Sequence, residues 1–430
     1  MAHSSNWARR RSQRGVVGRG PRSQPLAAGI RAGLAISPLV AMLATPALAD
    51  PEGAQVAAGS ATFSTSGSVT TIHAADRTII NYTGFDIARH ETVRFVQPGP
   101  NARVLNRINS ATPTRIDGSL LANGQVYLAN PAGVIFGKGS VINAAGIYAA
   151  AGSITDADFL RGVNRFTDLD GDVINYGSIY ADSVHLLGRH VANFGSIEAR
   201  DVVTLMAGDE VLIGERGGHI YARMNASELA EQAQALGESG TMLARGDVYS
   251  VAIHDLSSVR ARSVQAQADF VTARGTIDAS NASPGQRGGR VELLGDRVAV
   301  DGAKIDVSGH SGGGDVRIGG GFRGQESSLR NAQVTLVTPG TTISADALVS
   351  GDGGSVVVWS DRGTAFGGSI SAAGADTGSG GLVEVSGKKG LSYRGDVQTP
   401  GGENGGREGT LLLDPEDIRV VADGTGDSLE

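Results

Sequence analysis

The sequence predicts an all-β fold, a right-handed parallel β-helix carrying an N-terminal β cap and a short inserted helix. Three observations point there. The segment Asn175-Tyr176-Gly177-Ser178-Ile179 returns as Asn193-Phe194-Gly195-Ser196-Ile197, and the runs Val184-His185-Leu186-Leu187 and Val202-Val203-Thr204-Leu205 follow at the same offset of 18 residues. Repeats of about 20 residues built from strands and Gly/Asn corners indicate a solenoid rather than a sandwich. Gly supplies 64 of 430 residues with only 13 Pro and no strict triplet, which excludes collagen. Short Val- and Ile-rich runs recur behind Gly pairs, which argues against a disordered linker.

Residues 1–49 read as a signal peptide outside the fold. Arg9, Arg10, Arg11, Arg14, Arg19, Arg22 and Arg31 form a basic region, Ala32 to Leu43 an apolar one, and Ala47-Leu48-Ala49 a small-x-small cleavage site before Asp50. A membrane anchor fits less well, because Pro38 breaks the apolar core and no second apolar run of about 20 residues follows. The Arg pairs raise the twin-arginine route, but no hydrophobic pair follows them at the usual spacing, so a long general-secretory leader is the expectation. The formal charge is −7; removing seven Arg with no acid leaves −14. An acidic mature chain argues against nucleic acid, which needs a clustered basic face. There is no Cys, so core and ladder hydrogen bonds must stabilise the fold; with 40% hydrophobic residues, burial suffices.

From Ala54 to Gln97 short runs predict strands at Ala61–Phe63, Val69–Ile72, Thr78–Tyr82 and Val93–Val96. A solenoid must cover its first coil, because an open parallel edge offers unpaired N–H and C=O groups to other chains. This segment is therefore expected to be the cap, mostly antiparallel to itself.

The densest specification lies between Leu105 and Ala151. Asn123-Gly124 is a turn signal of the hairpin type between Leu120-Leu121 and Val126-Tyr127-Leu128. Asn130-Pro131-Ala132-Gly133 precedes Val134-Ile135-Phe136 and reads as a type I turn: Pro131 presets its own φ, the Asn130 side chain bonds forward, and Ala132 avoids positive φ. As a turn it fixes register; the competing reading is direct contact with a secretion pore.

This stretch resembles the haemagglutination-activity, or two-partner-secretion, domain of filamentous-haemagglutinin-like exoproteins. The resemblance rests on Leu105-Asn106-Arg107-Ile108, on Thr114-Arg115-Ile116-Asp117-Gly118-Ser119-Leu120, on Asn123 to Leu128, and on Asn130 to Gly137, with Phe85-Asp86-Ile87 and Val93 to Pro98 upstream. Ala132 stands where the family usually has Asn. The resemblance implies a signal peptide over 1–49, a secretion domain over 50–300 with core motifs in 85–151, and continuing Gly-rich β-helix repeats over 301–430. It implies a secretion and folding motif made of Asn106, Arg107, Arg115, Gly118, Asn123, Gly124, Asn130, Pro131, Gly133, Phe136 and Gly137. It also implies an outer-membrane transporter, with periplasmic domains, as partner.

Beyond the motif, Thr155 to Leu160 predicts a short helix capped by Thr155 or Asp156. The 18-residue period then begins, and Asn175 and Asn193 are placed to form an internal amide ladder. With about 20 residues per coil the mature chain would hold about 19 coils over some 90 Å. Asn225 to Leu236 carries an Asn cap, a Glu three residues on and Ala-rich helix formers, predicting an inserted helix of about three turns against the side of the rod. From Phe270 short strands resume to Leu411-Leu412-Leu413-Asp414-Pro415, where related chains usually continue; the sequence is either a short exoprotein or a truncated one.

Candidate chemistry is sparse. Gly309-His310-Ser311-Gly312-Gly313 matches a nucleophile elbow but lacks the helix that must follow. Gly319-Gly320-Gly321-Phe322-Arg323-Gly324 matches a dinucleotide loop with no helix to face a phosphate, so it reads as a corner. His310 and Asp315 have no metal-binding repeat around them, so no metal and no cofactor is expected. A β-helix enzyme acting on polysaccharide needs clustered carboxylates, and Asp278, Asp306 and Asp346 are read as spread over different coils. Arg245-Gly246-Asp247 and Arg394-Gly395-Asp396 are read as solvated corners, receptor contacts only if exposed at loop tips. The expected protein is a non-enzymatic adhesin-type exoprotein, secreted or at the cell surface, with a receptor that the sequence does not name. A polysaccharide enzyme and the delivery arm of a contact-dependent toxin are the alternatives.

Overall fold

The computed structural model describes residues 51–216, 219–221, 243–245 and 252–416. All of them belong to one of the chain's two compact units, residues 48–430. The leader and the helix expected over 225–236 lie outside the described residues.

The fold is a right-handed parallel β-helix with three sides. One turn of the coil runs through Ser119–Ala122, Gln125–Ala129 and Gly133–Phe136, and the next lays Val141–Ala150 onto the first two of these strands, parallel and in register. Thus Asn123-Gly124 does not reverse a hairpin. The strands flanking it pair with the following coil instead of each other, so the dipeptide turns a corner between two sides. A solenoid uses the same turn chemistry as a hairpin but a shallower change of direction, and sequence does not separate them.

The cap is shorter than expected. Gln55–Ala58 lies antiparallel on Thr78–Tyr82, and Ala61–Ser66 antiparallel on Val69–Ala74. Val69–Ala74 already pairs in parallel with Thr92–Val96, and Thr78–Tyr82 with Arg103–Ile108, so the coil begins near Val69. Two strands are enough to occupy the open edge of the first coil.

Register makes columns. On the second side one outward column runs Ile79, Leu105, Tyr127, Tyr148, His185, Thr204, Gln265, Glu292, Arg317, Val357, Glu384, Leu412, one residue per coil. Among the described residues, twelve coils at a strand spacing of about 4.8 Å give a stack of about 53 Å, against about 19 coils and 90 Å expected of the mature chain. The period fails because the corners are elastic: Ser178 pairs with Ser196, but Ser369 with Asp396 and Lys304 with Thr342. Inward residues such as Ile72, Val104, Leu128, Leu186, Leu293 and Val358 form one continuous apolar core.

At the corner between the third and first sides the amide ladder is present. Asn175 and Asn193 are fully buried, and Asn175 Nδ2 donates to Asn193 Oδ1 at 2.7 Å. The first half of the outward column on the second side is also buried, under an excursion through residues 151–171. Its helix, Asp156–Arg161, is capped by Thr155, whose hydroxyl accepts from Asp158 N, and ends at Gly162 with φ of 79°. Phe159, Phe166 and Leu169 cover Tyr127 and Tyr148, whose rings stack at 4.1 Å. Asn164–Phe166 joins a small antiparallel sheet with Glu210–Arg216 and Leu243–Arg245. Among the described residues, no helix is long and apolar enough to cross a membrane.

Candidate functional site

The motif residues fall on consecutive coils near the start of the helix, and most of them tie one coil to another. Asn130 is fully buried at the corner after Gln125–Ala129. Its Nδ2 donates to Thr112 O and Thr114 Oγ1, both at 3.0 Å, and its Oδ1 accepts from Ala132 N at 3.0 Å. The turn is closed by Gly133 N donating to Asn130 O at 2.9 Å. Ala132 stays out of positive φ and Gly133 takes φ of 123°, which excludes the type II alternative. Pro131 is exposed at the tip.

Asn123 makes a two-way clasp on the coil before it: its Oδ1 accepts from Gln97 N and its Nδ2 donates to Gln97 O, both at 2.7 Å. Gly124 follows at that corner, where the Gln97 side chain donates to Ala102 O at 2.7 Å. Gly118 sits where a Cβ would lie 2.2 Å from Ala88 O and 2.4 Å from Glu91 O, so only Gly lets the coils approach. Arg107 reaches out of the coil to the excursion, donating to Ile154 O at 2.9 Å and Asp156 Oδ1 at 2.6 Å, and to Asn81 Oδ1 at 3.3 Å. Arg115 pairs with Asp117 at 2.7 Å, which raises its pKa, and Gly137 leaves room for that carboxylate. Phe136 is buried in the central core.

Asn106 is the exception. It occupies the inward apolar column between Ile80 and Leu128, fully buried, with Nδ2 donating to Tyr127 O at 3.1 Å. Its Oδ1 has no hydrogen-bond partner. A polar side chain held there at a desolvation cost is not explained by packing.

Sequence reasoning did not single out Asn81 or Glu91, and gave Gln97 and Asp156 no part in holding the motif residues. Glu91 is buried and its carboxylate accepts from Ala88 N at 2.7 Å. Isolated Glu and Gln in a polar stretch carry no signal until the register of neighbouring coils is known.

The sequence matches the family described as TPS secretion domain over residues 47–293. The chain belongs to that family. Members are exported across the outer membrane by a two-partner transporter, to the surface or the medium. Two proteins of Haemophilus influenzae, each described as heme/hemopexin-binding protein, are similar to this chain over part of its length. One is 39% identical over 162 residues, and the other is 41% identical over 85. Those matches cover 35% and 20% of this chain but 18% and 9% of the relatives' own length. The crystal structure of the HMW1 secretion domain from Haemophilus influenzae superposes with a TM-score of 0.63 and 26% identity, covering 84% of this chain and all of that one.

Downstream of the secretion motif, other candidate residues resolve as parts of the coil. Arg394-Gly395-Asp396 is a corner locked in register, Arg394 N donating to Phe366 O and Asp396 N to Gly368 O, with Asp396 accepting from Gln398 Nε2. Arg394 and Asp396 are exposed but do not stand on a protruding loop. Arg245 pairs through its backbone with Glu210, while Gly246 and Asp247 lie outside the described residues. His310 and Ser311 sit in the loop between Lys304–Asp306 and Asp315–Ile318 with no helix after them. Residues 319–324 are more than a corner: they open an excursion with one 3-10 turn, Phe322–Gly324, folded onto the Trp359 indole.

The acids do lie on different coils, but Asp278 and Asp306 are register partners on adjacent ones, because a 28-residue coil brings them together. Ser344 occupies the next place in that column. Each carboxylate holds its own corner, Asp278 accepting from Ser280 N and Asp306 from Ser308 N, and Asp346 accepts from Ser371 Oγ and Ala373 N. Burial raises the pKa of Glu292, which is held by Arg290 and Gln265, and that of Glu384. Among the described residues no group of three or more His, Cys, Asp or Glu is placed to hold a metal.

Proposed function

We propose that the chain is a non-enzymatic, adhesin-type exoprotein, secreted or displayed at the cell surface. Residues 1–49 serve as its leader, about 50–300 as the secretion domain with its core motifs in 85–151, and 301–430 as continuing coil. Periplasmic domains of a dedicated outer-membrane transporter recognise the secretion domain, and folding outside the cell contributes to vectorial export. The observation that carries this reading is the clustering of Arg107, Gly118, Asn123 and Asn130 on the first coils, where Asn123 and Asn130 fasten a coil to its neighbour, Arg107 fastens one to the covering excursion, and Gly118 lets two coils approach. A segment that leaves the pore first gains from a strongly specified nucleus, since parallel coils otherwise close slowly. The rod then presents its uncovered sides to other cells or surfaces. Secretion of the full chain, compared in cells with and without the cognate transporter, tests this: extracellular protein is expected only with the transporter, and equal export without it overturns the reading.

A further inference from the structure

Near the last described coils a cleft of about 770 Å³ opens at the corner between the second and third sides. Four cationic side chains line it: Arg323, Arg362, Lys388 and Lys389, all exposed. Arg323 has a loose pairing with Asp414 at 3.9 Å. Arg362 and Lys389 stack on adjacent coils, since Lys389 N donates to Arg362 O at 3.2 Å and Gly363 is the register partner of Gly390. Like charges opposite one another on neighbouring strands are destabilising. At three other places a stacked cation meets an acid on the neighbouring coil: Arg260 meets Asp278 at 2.7 Å, Arg274 meets Asp301 at 2.9 Å, and Arg200 meets Asp182 at 3.1 Å. Arg362, Lys388 and Lys389 form no ion pair with a described residue.

We infer that this corner binds a linear acidic polysaccharide lying along the coil axis, its carboxylate or sulfate groups answering the cations that the coil leaves unmatched. The stacking sets the direction: successive cations are one coil, about 4.8 Å, apart. The same cleft carries Asp361, Asp414 and Glu416 beside Gln333. Sugar hydroxyls donate to such carboxylates and bond to the amide. A nucleic-acid duplex, with a charge about every 1.7 Å, does not match cations about 4.8 Å apart, and its backbone offers few hydroxyls to those carboxylates. The inference concerns what the exported rod adheres to and leaves the secretion reading untouched, because its readout uses purified protein.

The probe is size-fractionated oligogalacturonate titrated into the full mature chain, with neutral dextran, oligothymidylate and phosphatidylglycerol vesicles as parallel arms. Oligogalacturonate is expected to bind and to weaken with salt, the other three to bind at least roughly tenfold less tightly. Arg362→Glu combined with Lys389→Glu should weaken binding by roughly tenfold or more, while Arg94→Glu combined with Lys304→Glu leaves it unchanged. Lys389→Glu alone separates binding from folding: it puts opposite charges on adjacent coils, so the thermal midpoint should hold or rise while affinity falls. Absence of oligogalacturonate binding, an unchanged affinity in the double variant, or equal binding of oligothymidylate or vesicles overturns the inference.

Discussion

At the scale of single residues, the glycines and asparagines of the motif differ in what they hold apart or together. A Cβ on Gly118 meets two backbone carbonyl oxygens that cannot move without opening the coil, whereas a Cβ on Gly137 meets the far end of the Asp117 side chain. Gly118→Ala should therefore lower the unfolding free energy by about 3 kcal/mol, and Gly137→Ala by about 1 kcal/mol or less, the latter through loss of the exposed Arg115–Asp117 pair. Urea denaturation at neutral pH distinguishes them; equal losses would show that the Asp117 carboxylate is as fixed as backbone. Asn106 gives the opposite sign. With Oδ1 unpartnered in an apolar column, Asn106→Leu should be neutral or stabilising by about 1 kcal/mol in the same assay. If that variant folds well but is secreted poorly, Asn106 serves export rather than stability. A clear destabilisation would instead mean that its bond to Tyr127 O dominates.

At the scale of elements, the buried outward column of the second side couples stability to pH. His185 stacks on Tyr148 at 4.3 Å, is fully enclosed, and burial pushes its pKa down to about 3. Below pH 6.5 the unfolded chain takes up a proton that the folded chain refuses, so stability falls as pH falls from 6.5 toward 3 and is unaffected above 6.5. Between pH 6.5 and 5 this group alone should remove about 2 kcal/mol. His185→Gln should flatten the pH dependence by that amount, measured as the difference in urea midpoints of the two proteins at each pH; parallel curves would place His185 in contact with water. None of this column is visible in the sequence, because Tyr127, Tyr148 and His185 meet only once register is set, and register depends on corner lengths. The Asn175–Asn193 ladder was legible for the opposite reason: two undisturbed 18-residue coils put like beside like. Where corners lengthen, as between Asp278 and Asp306, neighbours in space looked unrelated in sequence.

At the scale of the whole molecule, the repeat and the Gly-punctuated strands announced the solenoid, and the motif order announced its family. Coil number and cap size did not follow, since the sequence does not separate a corner from an excursion until the strands are paired. What the structure adds is a division of labour: two antiparallel strands close the first edge, the motif coils lock to one another, and later coils repeat with looser corners. The central claim is that the motif acts by fastening coils, so that folding and export fail together. The most direct measurement pairs secretion yield through the cognate transporter with the urea midpoint of purified protein for Asn130→Ala, beside Asn175→Ala as a similarly buried asparagine outside the motif. The account predicts that Asn130→Ala loses about 2 kcal/mol and that its secreted yield falls with it, by more than Asn175→Ala at comparable destabilisation. Full secretion of a destabilised Asn130→Ala, or lost secretion at undiminished stability, would contradict it.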